Sequence, residues 1–504
     1  MASRPTDRRP AGPGPSGRRV SMAGLGLDRG SELPLYQQVA AHLRNQILDG
    51  RLAAGARLAG SRMLASELGC SRAIVLTAFD LLYSEGYLRS VPRGRVEVAA
   101  VAKSSGAAVP APDSEAEGEW LSDAWQAVLG TGYEFDLGSP FSPGAPDLST
   151  FPFDVWSRLL RQCWVNPPPS ACIDMPPLGW GPLREATADY LGAVRGLLCR
   201  PEEVAITSAS SGALNLCSRM LLNPGDEVWV EEPGFIEARW SLKAAGAKLV
   251  PVPVDDKGLV VAEGVRRAPR AKVAVVTPSH QFPLGVPMAL ERRQELLEWA
   301  NRAGGWIIED DYNSEFRHRG SMTASLKSLD RSGRVVYLGT FSKVMLPSLR
   351  IGYLVASPRF IDAFGRGRAR VDVHPAGTAQ PALVKFLSEG HLLRYLRRMR
   401  KVYADRQKAV VDAVERLMGD EVEINAPPAG LHLTALFRPA LAERVDDREV
   451  SRRSLGTGNF VQPLSQCYLG PADRRGLVIG YGRLPQEQAF QRISAVAALL
   501  HGKP

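Results

Sequence analysis

Apolar residues recur at every fourth position over Leu35, Val39, Leu43 and Ile47, a spacing that predicts an amphipathic helix, and Gly50 and Gly55 mark its end. Ser61 is placed to cap a short helix through Leu68, Gly69 to make a tight turn, and Ser71 to cap a third helix to about Leu82. In that third stretch Ile74, Val75, Ala78, Phe79 and Leu82 share one face. A strand begins at Gly86-Tyr87-Leu88, and Pro92-Arg93-Gly94-Arg95-Val96 has the make-up of a hairpin tip. Helix, glycine turn, helix and hairpin together form the pattern of a winged helix-turn-helix, a mainly α domain.

From about residue 131 the pattern changes to short apolar runs, Val204–Thr207, Val228–Val230, Val273–Val276, Trp306–Ile308 and Val335–Leu338, separated by helical stretches. Gly181-Pro182-Leu183-Arg184 opens one such helix, with Leu183, Ala186 and Tyr190 on one side. Buried strands alternating with helices predict an α/β domain. Strands around Gly430–Leu433 and Leu477–Tyr481 follow as a C-terminal subdomain, and a basic helix is expected over Leu392–Tyr403 with a solvated or subunit-facing surface. Residues 1–30, rich in Arg, Pro, Gly and Ser, lack the apolar surface that would order them and are expected to be a disordered basic tail. Residues 99–130 are expected to be a linker with a short helix around Trp120–Val128. The expected domains are therefore 31–98, winged helix-turn-helix, and 131–504, α/β.

Composition narrows the class. A chain of 504 residues exceeds one compact domain. No apolar run approaches the roughly 18 residues a membrane span needs, and the N-terminal arginines precede no apolar core, so neither a membrane span nor a signal peptide is expected and the chain is read as cytoplasmic. The six cysteines have no Cys-x-x-Cys spacing, which suggests reduced thiols and neither a zinc site nor a disulfide framework. The net charge of +9 permits nucleic-acid contact.

Candidate chemistry gathers after two of the apolar runs. Val335–Leu338 leads into Gly339-Thr340-Phe341-Ser342-Lys343, and Arg350 stands seven positions after the lysine. Pyridoxal phosphate (PLP) needs such a set: an amine to condense with its aldehyde, and hydroxyl and cationic groups to hold its phosphate. Lys343 is the candidate Schiff-base and catalytic lysine; Thr340, Ser342 and Arg350 are the candidate phosphate ligands. Trp306–Ile308 ends in Glu309-Asp310-Asp311-Tyr312. A buried carboxylate beneath a pyridine nitrogen keeps that nitrogen protonated, because an opposite charge favours the charged form. Asp310 is assigned that role, and Tyr312 is assigned as donor to the ring O3′. The turn Ser208-Ala209-Ser210-Ser211-Gly212, between strand and helix, offers backbone N–H groups of Ala209 and Ser210 to a phosphate.

Strand, acid and tyrosine, followed by Ser-Lys with Arg seven positions on, resembles the fold-type I aminotransferases. Thr277-Pro278-Ser279-His280-Gln281-Phe282-Pro283, Glu309-Asp310-Asp311-Tyr312, Ser314-Glu315-Phe316 and Gly339–Lys343 resemble more narrowly the MocR subgroup of GntR regulators, transcription factors that carry an aminotransferase-like domain. The N-terminal pattern is similar to the GntR winged helix, and the resemblance spans roughly residues 31–485. It implies that Phe235 stacks on the cofactor ring and that His280 or Gln281 touches the ring or its O3′. It also implies that Ser71 and Arg72 meet phosphate and base edges of double-stranded DNA, joined by Arg62 and by Arg93 and Arg95 on the wing. A head-to-tail homodimer is implied as well.

The chain departs from the pattern in places. Ala73 and Ile74 stand where the family has Asn and Thr after Ser-Arg, and Ala209-Ser210 where it has Gly-Ala. Val478 takes the place of the arginine that holds a substrate carboxylate in aminotransferases, Glu237 that of another carboxylate-binding arginine, and a tyrosine expected near Asp174 is missing. PLP capture is thus expected to be retained and conventional α-amino-acid handling lost. The implied function is a PLP-dependent transcriptional regulator that senses PLP or a small amine or amino-acid effector. The alternatives are an active aminotransferase with an accessory DNA-binding domain, and a DNA-binding protein whose large domain is a dimerisation scaffold.

Overall fold

The computed structural model describes residues 26–501 except 93–94, 101–119, 131, 133–134, 137, 173–174 and 321–322. Most of the expected tail, most of the expected linker, Arg93 and Asp174 lie outside the described residues. The chain divides into two compact units, one ending at residue 119 and one running from Trp120 onward.

The first unit contains α1 (Leu35–Leu48), α2 (Ser61–Glu67), α3 (Arg72–Ser84) and the antiparallel hairpin of β1 (Leu88–Val91) and β2 (Arg95–Val98). The four-residue repeat of α1 meets the inner face of α3: Val39, Leu43, Val75, Ala78 and Leu82 are wholly inaccessible and form one cluster with Leu64. Gly69, at φ +61°, makes the turn between α2 and α3 in a conformation that favours glycine. Ser71 caps α3 as expected, its Oγ accepting from Ile74 N at 3.4 Å. Ser61 does not cap α2. Extended Gly60 occupies the cap position, so Ser61 is already helical and its hydroxyl accepts from Arg72 Nε at 3.2 Å. Arg44 and Glu85, 2.6 Å apart, join α1 to the end of α3; a surface pair of this kind contributes about 0–1 kcal/mol.

In the second unit the expected linker helix is present at Asp123–Leu129 and packs on the helix Ile236–Ala244. Eight strands make the main sheet: β3 (Val204–Thr207), β4 (Glu227–Glu232), β5 (Lys248–Asp255), β6 (Gly258–Leu259), β7 (Val273–Val276), β8 (Trp306–Asp310), β9 (Val335–Thr340) and β10 (Gly352–Val355), in the order β3-β10-β9-β8-β7-β4-β5-β6. Neighbours from β9 through β5 are parallel, whereas β10 is antiparallel to both β3 and β9. Every residue of β3, β7, β9 and β10 is buried, which explains their unbroken apolar runs. β4 extends past Val230 because the Glu231 carboxylate is satisfied inside the sheet, accepting from Thr277 Oγ1 at 2.6 Å and Thr277 N at 3.2 Å. The basic helix is longer than expected, His391–Met418, since Tyr395, Met399, Tyr403, Val410, Val414 and Met418 carry its buried face onward. A four-stranded antiparallel sheet, β11 (Val422–Asn425), β12 (His432–Phe437), β13 (Gln462–Pro463) and β14 (Gly476–Gly480), completes the unit in the order β11-β12-β14-β13. Among the described residues no helix is long and apolar enough to cross a membrane.

Candidate functional site

The carboxyl ends of β3, β4, β8 and β9 open on one edge of the sheet, where α/β folds place their ligands. A cavity of about 340 Å³ lies there, lined by Ser210 after β3, Phe235 after β4, Asp310 and Tyr312 at the end of β8, and Thr340 and Lys343 at the end of β9. Its volume falls within the roughly 300–1,000 Å³ of small-ligand pockets. Residues expected at the cofactor thus come together from widely separated stretches of the chain.

Three consecutive acids end β8, and strand alternation sorts them. Glu309 accepts the backbone N–H groups of Leu326 at 2.9 Å and Lys327 at 2.8 Å. Asp311 is held by Arg195 at 2.7 Å and by the Tyr337 hydroxyl at 2.7 Å. Asp310 alone of the three faces the cavity, and its buried Oδ1 has no hydrogen-bond partner among the described residues. Burial, and then the charge of Asp311, push its carboxyl up to about 7, against the pull of Lys343. A protonated ring nitrogen would supply the missing partner.

At the turn after β3, Ala209 opens the helix Ala209–Leu221 at φ +62°, a left-handed conformation that costs a residue with a Cβ about 1–2 kcal/mol. A Cβ on Gly352 would stand 2.7 Å from the Ala209 carbonyl carbon, so glycine is needed where β10 passes this turn. Arg350 Nη2 donates to Ser211 Oγ at 3.0 Å, bridging the turn and the lysine loop. Thr340 Oγ1 accepts from Ser342 N at 3.1 Å, and the buried Ser342 Oγ is unpartnered among the described residues. Helix N–H groups, two hydroxyls and a guanidinium suit a phosphate.

Burial lowers the Lys343 amine below its usual range; Glu237 and Asp310 oppose this, while Arg483 and Arg350 assist it. A lowered amine is more often neutral and nucleophilic. Gly144 lies beside the lysine in a left-handed conformation (φ +69°) that favours glycine; a Cβ there would be in ordinary contact with Lys343 Nζ at 3.4 Å and Asn313 Nδ2 at 3.6 Å. Asn313 is fully buried, with both amide atoms unpartnered among the described residues. Gly144, Asn313 and the cavity residue Arg483 were not found by sequence reasoning; a Ser-Pro-Gly turn and a polar residue after Tyr312 were the only signals.

The Phe235 ring lies parallel to that of Tyr312 at 6.3 Å and edge-on to Phe282 at 5.6 Å. The Tyr312 hydroxyl donates to the His280 carbonyl oxygen at 3.1 Å. His280 and Gln281 do not line the cavity. The Gln281 amide is occupied, donating to Pro233 O at 2.8 Å and Phe282 O at 2.6 Å, while His280 packs on His432, with ring centroids 4.8 Å apart, and burial lowers its pKa. Val478 is wholly buried and belongs to an apolar cluster with Ile236, Phe282 and Leu464.

In the first unit Arg62, Ser71, Arg72 and Arg95 are all exposed. The Arg62 side chain has no hydrogen bond or ion pair among the described residues, and Arg72 is steadied by Ser61 across the turn. Ala73 is exposed at the start of α3 and offers no polar group there.

Comparison with known proteins supports both halves. Residues 35–98 match the bacterial regulatory proteins of the gntR family, and residues 175–499 match aminotransferase class I and II. Over nearly its whole length the chain is similar to the probable rhizopine catabolism regulatory protein MocR of Rhizobium meliloti, 37% identical across 94% of this chain and 95% of that one. It is 31% identical to the pyridoxine biosynthesis transcriptional regulator PdxR of Corynebacterium glutamicum, covering 88% of this chain and 91% of the relative. Among solved structures, an archaeal alanine:glyoxylate aminotransferase is similar with a TM-score of 0.68 and 26% identity, across 76% of this chain and 94% of the other.

Proposed function

The chain belongs to the MocR-type transcriptional regulators, in which a gntR-family DNA-binding domain is joined to an aminotransferase class I and II domain, and on that premise we propose that PLP carried on Lys343 governs how the helix-turn-helix acts on DNA. The observation that carries this reading is the unpartnered Asp310 Oδ1 in the same cavity as Lys343. PLP, when bound, supplies an electrophilic aldehyde carbon and an electron-withdrawing ring. Lys343 offers a neutral amine to that carbon, and Asp310 holds a proton at the ring nitrogen. Thr340, Ser342, Arg350 and the N–H groups around Ser210 bind the phosphate, and Phe235 covers the ring. Arg62, Ser71, Arg72 and Arg95 meet the DNA.

The domains of this reading are 31–98 for DNA and 131–504 for the cofactor, joined through 99–130, in a cytoplasmic head-to-tail homodimer that responds to PLP or an amine. The large domain senses rather than turns over, because buried Val478 leaves the substrate carboxylate without the arginine that aminotransferases use. Borohydride reduction of PLP-treated protein and peptide mass mapping test the site, and gel shifts with and without PLP test the coupling. The expected result is a pyridoxyl group on Lys343 and a PLP-dependent shift; a label on another lysine overturns the reading.

A further inference from the structure

We infer that the effector cavity selects a primary amine whose far end is a second cation rather than a carboxylate, and that Glu237 selects it. This deepens the reading in which Lys343 carries PLP and rests on it.

The charged residues lining the cavity are Asp136, Glu237, Asp310, Lys343 and Arg483. Most have work already. Asp310 is reserved for the ring nitrogen and Lys343 for the aldehyde carbon. Asp136 Oδ1 accepts from Gly138 N at 2.8 Å, and Arg483 Nε donates to Pro146 O at 3.4 Å. Glu237 differs from them. Burial raises its carboxyl, its own backbone N–H and then the charge of Lys343 act against this, and no other described side chain is paired with it.

Once the lysine amine is engaged by the cofactor and uncharged, Glu237 loses the cation it faces. A half-buried carboxylate then favours a new positive charge and disfavours another carboxylate beside it. Trp240, Phe282, Phe460 and Pro146 line the same cavity, apolar groups that suit a methylene chain. The reacting amine goes to the Lys343 end and the distal ammonium to Glu237.

Putrescine and γ-aminobutyrate form a matched pair of probes of similar length, each with a primary amine and a far end that is an ammonium in one and a carboxylate in the other. Both are titrated by calorimetry into the full-length protein, with and without prior PLP treatment, and PLP uptake is read separately from the mass after borohydride reduction. Putrescine is expected to bind roughly tenfold tighter or more, a gap of about 1.4 kcal/mol. Glu237→Gln should erase that gap, and Glu237→Arg should reverse it. A tighter γ-aminobutyrate, a gap that survives Glu237→Gln, or binding of neither probe overturns the inference. A γ-aminobutyrate preference that disappears in Arg483→Gln would assign the far end to Arg483 instead. Absence of PLP uptake would overturn the proposed function and this inference with it, whereas PLP uptake on Lys343 without a putrescine preference overturns this inference alone.

Discussion

Arg195 Nη2 stands 2.7 Å from Asp311 Oδ2, and the two side chains are only 2% and 1% exposed. The pair ties the last residue of the helix Gly181–Arg195 to the end of β8, and the Tyr337 hydroxyl donates to the same carboxylate at 2.7 Å. With Asp311 occupied in this way, the neighbouring carboxylate is the one left to answer a cofactor. The choice between adjacent acids is therefore made by partners far away in the chain.

Asp310→Asn should keep the cavity and its phosphate contacts but weaken PLP binding. A neutral amide cannot favour a protonated pyridine as a carboxylate does. The loss should be about tenfold or more, the equivalent of one pKa unit. Fluorescence titration with PLP measures it. Equal affinity in the variant would return the role to Asp311 or Glu309.

The same residue predicts a pH dependence. The Asp310 carboxyl is pushed up to about 7 in the folded protein, against roughly 3.9 in an unfolded chain. Between those values the folded state holds a proton that the unfolded state has released, so this group's contribution to stability falls as pH rises. The melting temperature of PLP-free wild type minus that of Asp310→Asn should decline from about pH 4 to about pH 7. A difference that is flat with pH would remove Asp310 from the titration.

Arg195→Met should destabilise the large domain by about 3–5 kcal/mol, because it leaves Asp311 buried without its cation. The double variant Arg195→Met, Asp311→Asn should be less destabilised than the single one, since the uncompensated charge is gone. Urea unfolding followed by tryptophan fluorescence gives both values. Equal losses in the two would show that packing of the guanidinium, not charge, is what matters here.

How far the sequence reveals this protein depends on how local the signal is. The repeat Leu35, Val39, Leu43, Ile47 places α1 because one buried face needs that spacing. The fully buried strands could be read from unbroken apolar runs, and Lys343 and Asp310 from the polar residues that end two of those runs. Ser61 was misplaced by one position because a cap depends on the backbone angles of Gly60, not on residue type. The occupied amide of Gln281 and the closeness of Gly144 and Asn313 to Lys343 arise where the chain returns after long excursions, and no local spacing encodes such meetings.

Arg72→Ala should weaken binding to the operator by roughly 1–3 kcal/mol if the guanidinium reads a base edge. Arg72 starts α3, is exposed, and is oriented by Ser61 Oγ at 3.2 Å. A gel-shift titration on operator and unrelated DNA separates base reading from phosphate contact: a loss equal on both would make Arg72 a phosphate ligand. PLP binding should be unchanged, because the two compact units have separate cores.

Lys343→Ala should abolish covalent capture of PLP while leaving weak noncovalent binding. Lys343 comes after a wholly buried strand, lies in the cavity with Asp310, and has its amine lowered first by burial. These conditions favour a neutral nucleophile at that atom. Thr340, Ser342 and Arg350 do not depend on the lysine, so the phosphate should still be held. The variant should fold, since Lys343 makes no buried ion pair within the described residues, unlike Arg195. DNA binding without effector should persist, because the winged helix has its own core of Val39, Leu43, Val75 and Leu82. The response to effector should be lost, because an amine can signal at this site only by competing for the atom that Lys343 attacks. Borohydride reduction with mass mapping reads the covalent step, dialysis reads the noncovalent step, and a promoter–reporter fusion reads the response. A full effector response in Lys343→Ala would show that the signal is read elsewhere in the domain.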